Sequence, residues 1–413
     1  MTRREFLIAS GGSLLLPNGQ ESVNRAKAEN LQIRVSALQH IRIGASFTIS
    51  HAMWLNGSWG GPLGNNQAIG PPWQDSLKEI ANSGVSTIRL SMPWDLVEPA
   101  QGKFNWRELD EALQICEQAA VEVVLCFGAK SPRYPEYHPP TWIKAEVEKR
   151  IKPPVPSDAL QIQVPDKAKQ ELAKLKEQAN KDPAAAAILK TVNATIEQSK
   201  TVMAATPKAR AAIAHYLTEG IKRYRDRTVV VAWQIENEPL TFTRPMALSQ
   251  VRREIALARS LDLKKRPILA TTWTAVDVSP DLAQGWSPVV TRQMVPLGDI
   301  LGFDCYVKSN KWETQPEHWR LISRWMDHAR GQGKRVWITE WQAEPWEGAQ
   351  KMDFKNPNGN VSFNPTRYLE TFPRAIALKP EKIFLWGLEF QIACKHQGND
   401  AWWKATQEII AKY

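Results

Sequence analysis

The stretch "VAWQIENEPL" (Val231–Leu240) runs an apolar segment straight into Glu236, Asn237, Glu238 and a proline. Carboxylates at the end of a buried segment are costly unless they are solvated or put to use. About a hundred residues later "WITEW" (Trp337–Trp341) repeats the device and sets Glu340 behind another apolar run. Two such carboxyls can divide acid–base and nucleophilic work, one giving a proton while the other attacks carbon or activates water. Other polar residues stand in or at the end of strand-like runs: Arg89 in "STIRLSMPW", Tyr306 closing "DILGFDCY" and Trp386 in "KIFLWGLEF". Glu236 lies two residues before Glu238, so strand alternation allows it the same face and makes it a second candidate for the acid. Glu344 and Glu347 follow Glu340 closely. As loop carboxylates they are expected to be solvated.

The elements that must position these groups alternate from about residue 41 onward. Strand-like segments are predicted at Ile41–Phe47, Ser86–Trp94, Val121–Ala129, Thr228–Glu236, Pro267–Trp273, Asp299–Tyr306, Arg335–Trp341 and Lys382–Phe390. Helical spacing falls between them, at Pro72–Gly84, Trp106–Ala120, Met246–Leu263, Pro316–Gln332 and Asn364–Ala377. Eight such units predict an α/β fold, the (β/α)8 TIM barrel. A doubly wound sheet is the rival, but no G-x-G-x-x-G follows the first strand. One segment breaks the rhythm. Residues 150–206, rich in Lys and Ala with an Asp182-Pro183 break, read as a helical hairpin inserted in the third βα loop. It is either a lid or partner surface on the catalytic face, or a solvated insertion.

In a TIM barrel the site forms where strands meet their following loops. That rule gathers Arg89, Asn237, Glu238, Tyr306, Glu340 and Trp386. Strands four and seven face each other across a barrel, so Glu238 opposes Glu340 over the cleft. Glycosidic cleavage requires such a pair, one acid and one nucleophile or base; roughly 5–5.5 Å between them gives retention and roughly 6.5–9.5 Å inversion. "KSPRYPEYHPP" after strand three would line the same cleft, with His138 read as a loop residue rather than a ligand.

"WQIENEP" and "WITEW" resemble the two catalytic signatures of glycoside hydrolase clan A, the retaining barrel enzymes that include families 5, 39 and 42. "IRLSMPWDLVEPAQGKFNWRELDEAL" resembles their path from strand two into the second helix, and "FLWGLEFQIACKHQGNDAWW" their eighth strand with its tryptophan. The resemblance runs from about Ile41 to Trp403, apart from the hairpin. It implies Glu238 as acid/base and Glu340 as nucleophile. Asn237 would hydrogen-bond the sugar 2-hydroxyl, and Arg89 and Tyr306 would donate to Glu340. Trp386 would floor the subsite of the cleaved sugar. The expectation is a barrel without the further domains that family 42 enzymes carry after it.

Composition narrows the alternatives. With 413 residues, 43% hydrophobic and 23% charged, the chain can bury a large core and fits a soluble globular protein. The net charge of +10 is spread along the chain, with a dense zone only near Lys144–Lys200, and no finger, zipper or RNA-binding signature accompanies it. Nucleic acid is therefore not expected as a partner. The 18 tryptophans must serve partly as core and partly, in a sugar cleft, as platforms. Trp94, Trp142, Trp273, Trp341 and Trp346 are candidates for the second use. Cys116, Cys126, Cys305 and Cys394 lie far apart and read as buried free thiols. No apolar run is long enough to span a bilayer. Arg3-Arg4, an apolar stretch Phe6–Leu16 and Ala26-Lys27-Ala28 resemble a bacterial twin-arginine export signal over residues 1–28.

The expectation is an exported retaining β-glycosidase that acts on a β-linked oligo- or polysaccharide. Two carboxylates suffice for that chemistry, so no metal or organic cofactor is implied. The alternatives are an exo-acting β-galactosidase- or β-xylosidase-like enzyme rather than an endo-acting one, and a non-catalytic carbohydrate-binding barrel.

Overall fold

The computed structural model describes residues 41–413, apart from 61–67, 134–135, 243 and 348–351. Residues 1–28, read from the sequence as an export signal, lie outside the described residues. Eight parallel strands, β1 (Arg42–Thr48), β2 (Thr87–Ser91), β3 (Glu122–Phe127), β4 (Val230–Ile235), β5 (Ile268–Trp273), β6 (Ile300–Cys305), β7 (Arg335–Gln342) and β8 (Lys382–Trp386), close in sequence order into a barrel. All eight predicted strands are present. The eighth is shorter than its apolar run suggested. Gly387 adopts a left-handed conformation (φ 104°) and starts the helix Leu388–His396, so Leu388, Glu389 and Phe390 are helical. A Cβ at Gly387 would lie 2.4 Å from Cβ of Glu344, which leaves only glycine at this turn.

The barrel interior is layered by strand alternation. Val124, Ala232, Leu269, Ile300, Trp337 and Phe384, one from each of β3–β8, form a buried apolar cluster. Two residues further along β4, β5 and β7 stand Gln234, Thr271 and Thr339, which join Ser46 of β1 and Arg89 of β2 in a buried hydrogen-bonded layer. The period of two stacks this polar layer on the apolar one at the C-terminal mouth. β7 departs from the period. Its register shifts against β6 between Phe303 and Asp304 and against β8 between Ile338 and Trp341. This bulge lets Thr339 and Glu340, adjacent in sequence, both reach inward.

Between β3 and β4 lie the helices Asp166–Ala179 and Pro183–Ser199, which pack on each other. The base of the segment is closed by reciprocal backbone bonds of Ile151 and Val202, at 3.0 and 2.9 Å. It is moored by Asp158, a buried carboxylate that accepts from Ser249 N (2.5 Å) and Ser249 Oγ (2.8 Å) in the first turn of the helix Leu248–Leu261. Gln293 adds a bond from its amide nitrogen to Ala159 O at 2.9 Å.

Several tryptophans proposed as platforms have other work. Trp94 and Trp341 are fully buried, Trp94 stacked on Tyr216 at 5.2 Å and Trp341 wedged against Trp319 and Phe372. All four cysteines are buried free thiols. Among the described residues no helix is long and apolar enough to cross a membrane.

Candidate active site

The site grows from the polar layer. Arg89, fully buried on β2, donates from Nε to Gln234 Oε1 (2.6 Å), from Nη2 to Asn237 Oδ1 (2.5 Å) and from Nη1 to Glu340 Oε1 (2.8 Å). Burial alone would lower its guanidinium, but Glu340 beside it raises it above the usual arginine value. The second oxygen of Glu340 accepts from the Tyr306 hydroxyl, which follows β6. Burial, then the carboxylate of Glu340, push that phenol well above its ordinary value and keep it a donor. Glu340, 4% exposed, is thus held by one cation and one neutral donor in fixed directions.

On the opposite wall the chain leaves β4 through two left-handed residues, Glu236 (φ 62°) and Glu238 (φ 40°). Each costs roughly 1–3 kcal/mol and persists only where its surroundings over-determine it. They do so here. Glu236 N donates to Phe127 O, Asn237 N to Lys130 O, and Glu238 N to Thr271 Oγ1 on β5. Glu236 itself turns to the third loop and accepts from the backbone N–H groups of Ala129 (2.8 Å) and Lys130 (2.6 Å). Its carboxyl also pairs with Glu254 of the helix Leu248–Leu261. Strand alternation therefore does not bring Glu236 beside Glu238. Glu236 braces the loop.

Glu238 is 8% exposed and carries the altered acidity. Burial raises its pKa first, and the carboxyls of Asp304, Glu136 and Glu340 raise it further against Lys130. The Lys130 Nζ is already bonded to Glu238 O (2.7 Å), Thr241 Oγ1 (2.9 Å) and Glu136 Oε2 (2.9 Å). Asn237 presents its oxygen to Arg89, Gln234 and Thr271, so its amide nitrogen is the donor it can offer a ligand.

Trp386 ends β8 and is 5% exposed, with the guanidinium of Arg133 4.4 Å from its ring centre. Arg133 is held there by Glu344 (2.5 Å) and Glu389 (3.3 Å). Glu344, expected to be solvated, is instead buried, because the Arg133 charge compensates it. On the other side of Tyr306, Trp346 packs its ring at 4.3 Å and stays 37% exposed, which sets this platform tryptophan against the site. Sequence reasoning passed over Arg133 and Asp304. The signal for Asp304 was a charged residue inside the otherwise apolar run "ILGFDC"; Arg133 lay within "KSPRYPEYHPP", expected to line the cleft, but was not singled out. Among the described residues no group of three or more His, Cys, Asp or Glu is arranged to hold a metal.

A closed (β/α)8 barrel with two buried glutamates opposed at its mouth, one clamped by Arg and Tyr, is the arrangement that two-carboxylate glycosidic cleavage requires. The model of glycoside hydrolase family 42, described as beta-galactosidase, matches residues 66–149. A beta-galactosidase of Haloferax lucentense is 28% identical over 75 residues, 18% of this chain and 10% of that protein. The match thus spans about a tenth of this curated relative's length. Among solved structures, a family 5 protein of Bifidobacterium longum subsp. longum, a glutamate-to-alanine variant in complex with Manβ1-4GlcNAc, superimposes with TM-score 0.52 and 11% identity over 91% of this chain and 78% of its own. A beta-galactosidase of the psychrophilic Marinomonas ef1 has TM-score 0.49 and 13% identity, covering 89% of this chain and 59% of that one.

Proposed function

We propose that the protein hydrolyses a β-linked glycoside by double displacement, with Glu340 as nucleophile and Glu238 as acid/base. The observation that carries this reading is the unequal environment of the two glutamates. One carboxylate is clamped by Arg89 and Tyr306, and the other is buried among carboxyls that favour its protonated form. Pairs driven apart in this way take the roles of nucleophile and acid. In the first step a Glu340 oxygen bonds to the anomeric carbon as the glycosidic C–O bond breaks, and the Glu238 proton goes to the departing oxygen. In the second, water gives its proton to Glu238 and its oxygen to the anomeric carbon, and Glu340 leaves as carboxylate. Asn237, with its amide nitrogen, would meet the sugar 2-hydroxyl, and Trp386, shared with Arg133, would floor the cleaved-sugar subsite. Residues 1–28 would direct export, which a mature N-terminus near Glu29 would support.

The family description makes a galactoside the first substrate to try, and a mannoside the second. A panel of 2-deoxy-2-fluoro glycosides of galactose, mannose, glucose and xylose should inactivate the enzyme and leave the label on Glu340, as read by peptide mass spectrometry. Full hydrolysis by Glu340→Ala, or a label on another carboxylate, would sink the assignment. Sugar affinity without turnover of any β-glycoside would turn the reading to a binding barrel.

A further inference from the structure

Asp304 is a buried carboxyl that the double displacement does not use. It follows the inward Ile300 and Gly302 on β6 and stands opposite Glu340 in the β6–β7 register. Its Oδ1 accepts from Thr339 Oγ1 at 2.6 Å. Among the described residues no hydrogen-bond donor reaches Oδ2, a buried atom. What lies in hydrogen-bond contact with Asp304 is the carboxyl of Glu238. Two carboxylates are both acceptors, so such a contact exists only if a proton lies between them.

The charged and titratable groups around the pair leave that proton in place. Glu340 on β7 and Glu136 in the third loop add negative charge. The two cations are spent elsewhere: Lys130 on Glu238 O, Thr241 and Glu136, and Arg89 on Gln234, Asn237, Ser46 and Glu340. Tyr306, Cys126 and Cys305 are buried and their acidities pushed up, so they add no charge near neutrality. Burial, then Glu340, raise Asp304 to about 8.

Building on the glycosidase reading, we propose that Asp304 is the positioning residue of the acid, hydrogen-bonded to Glu238 and holding a proton of its own through the catalytic cycle. At rest both carboxyls are neutral. When Glu238 gives its proton to the departing oxygen, the Asp304 O–H donates to the new carboxylate, and the pair passes from neutral to singly negative rather than from one charge to two. In the second half-reaction Glu238 regains a proton from the attacking water, and the resting pair is restored.

The test replaces Asp304 by Leu, which keeps the approximate shape and removes the donor that an Asn amide would retain. The basic limb of kcat/KM against pH on a disaccharide should move up by about one pH unit or more, because the Glu238 carboxylate loses the O–H that stabilises it. A dinitrophenyl glycoside, whose leaving group needs no proton, should lose at least tenfold less activity in Asp304→Leu than the disaccharide does. An unmoved limb with equal losses on both substrates would mean that Asp304 is merely structural. A second measurement needs neither turnover nor that variant. In the wild-type protein with 13C-labelled carboxyls, the resonance lost in Glu238→Gln should titrate in two steps, coupled to an aspartate resonance. A single independent step overturns the pairing. A protein that neither turns over nor labels Glu340 defeats the glycosidase reading instead, while the carboxyl titration still reports on the pair.

Discussion

At the scale of single residues, the decisive contact is the buried ion pair between Arg89 and Glu340. Removing one member of such a pair strands a charge and costs roughly 3–5 kcal/mol. Arg89→Met should accordingly lose stability of about that size in urea unfolding at pH 7, as the Glu340 carboxylate is left with Tyr306 alone. A loss below about 1 kcal/mol would show that the pair is better solvated than its burial implies. The same logic explains the buried Glu344. Its burial follows from Arg133, just as the burial of Glu340 follows from Arg89.

At the scale of elements, the turn after β4 depends on its neighbour after β3. Gly128 lies at φ 149°, and a Cβ there would sit 2.5 Å from the Glu236 carboxyl carbon. Gly128→Ala should lower the melting temperature, with a cost above about 1 kcal/mol because strain and collision add. It should also release the backbone that holds Glu238 left-handed. An unchanged melting temperature would mean that the loop reorganises freely. The pair beneath, Glu236 and Glu254, predicts a pH effect. Burial comes first in raising both, Glu236 to about 7 and Glu254, also through Glu236, well above the ordinary value of 4.5. A carboxyl whose pKa is higher folded than unfolded binds more protons in the native state, so its contribution is present below about 4.5 and is lost as pH rises through the folded value. Glu254→Gln should thus gain stability relative to wild type progressively from pH 5 to pH 8, measured as the difference in urea midpoint. A flat difference would refute the shared proton.

At the scale of the whole molecule, the helices Asp166–Ala179 and Pro183–Ser199 stand apart from the barrel's energetics. Of their described side chains only Ala185 is buried, whereas the segment's base is fixed by Ile151, Asp158 and Val202. Replacing residues 166–199 by a short Gly/Ser bridge should leave barrel stability within roughly 1 kcal/mol, since loop closure changes slowly with length. Calorimetry of the shortened protein checks this. A collapse of the transition would show that the helices support the mouth of the barrel.

The eight-unit rhythm and the placing of Glu238, Glu340, Arg89 and Tyr306 at strand ends were legible because apolar periodicity and strand-end chemistry are local properties of the sequence. β8 was drawn too long because apolarity does not distinguish a strand from the buried helix that follows a left-handed glycine. Three features belonged to the tertiary structure alone. The β7 bulge breaks the period of two, so no alternation rule could bring Thr339 and Glu340 to the same interior. Glu236 was drawn away from Glu238 by backbone donors of a loop a hundred residues earlier. Asp304 became a partner of the acid only through the curvature of the barrel, which brings an inward side chain of β6 toward the end of β4 across β5. The sequence by itself determined which residues could do chemistry and which strands would carry them. Long-range hydrogen bonding and shared burial decided which carboxyls face one another, and therefore how each is charged.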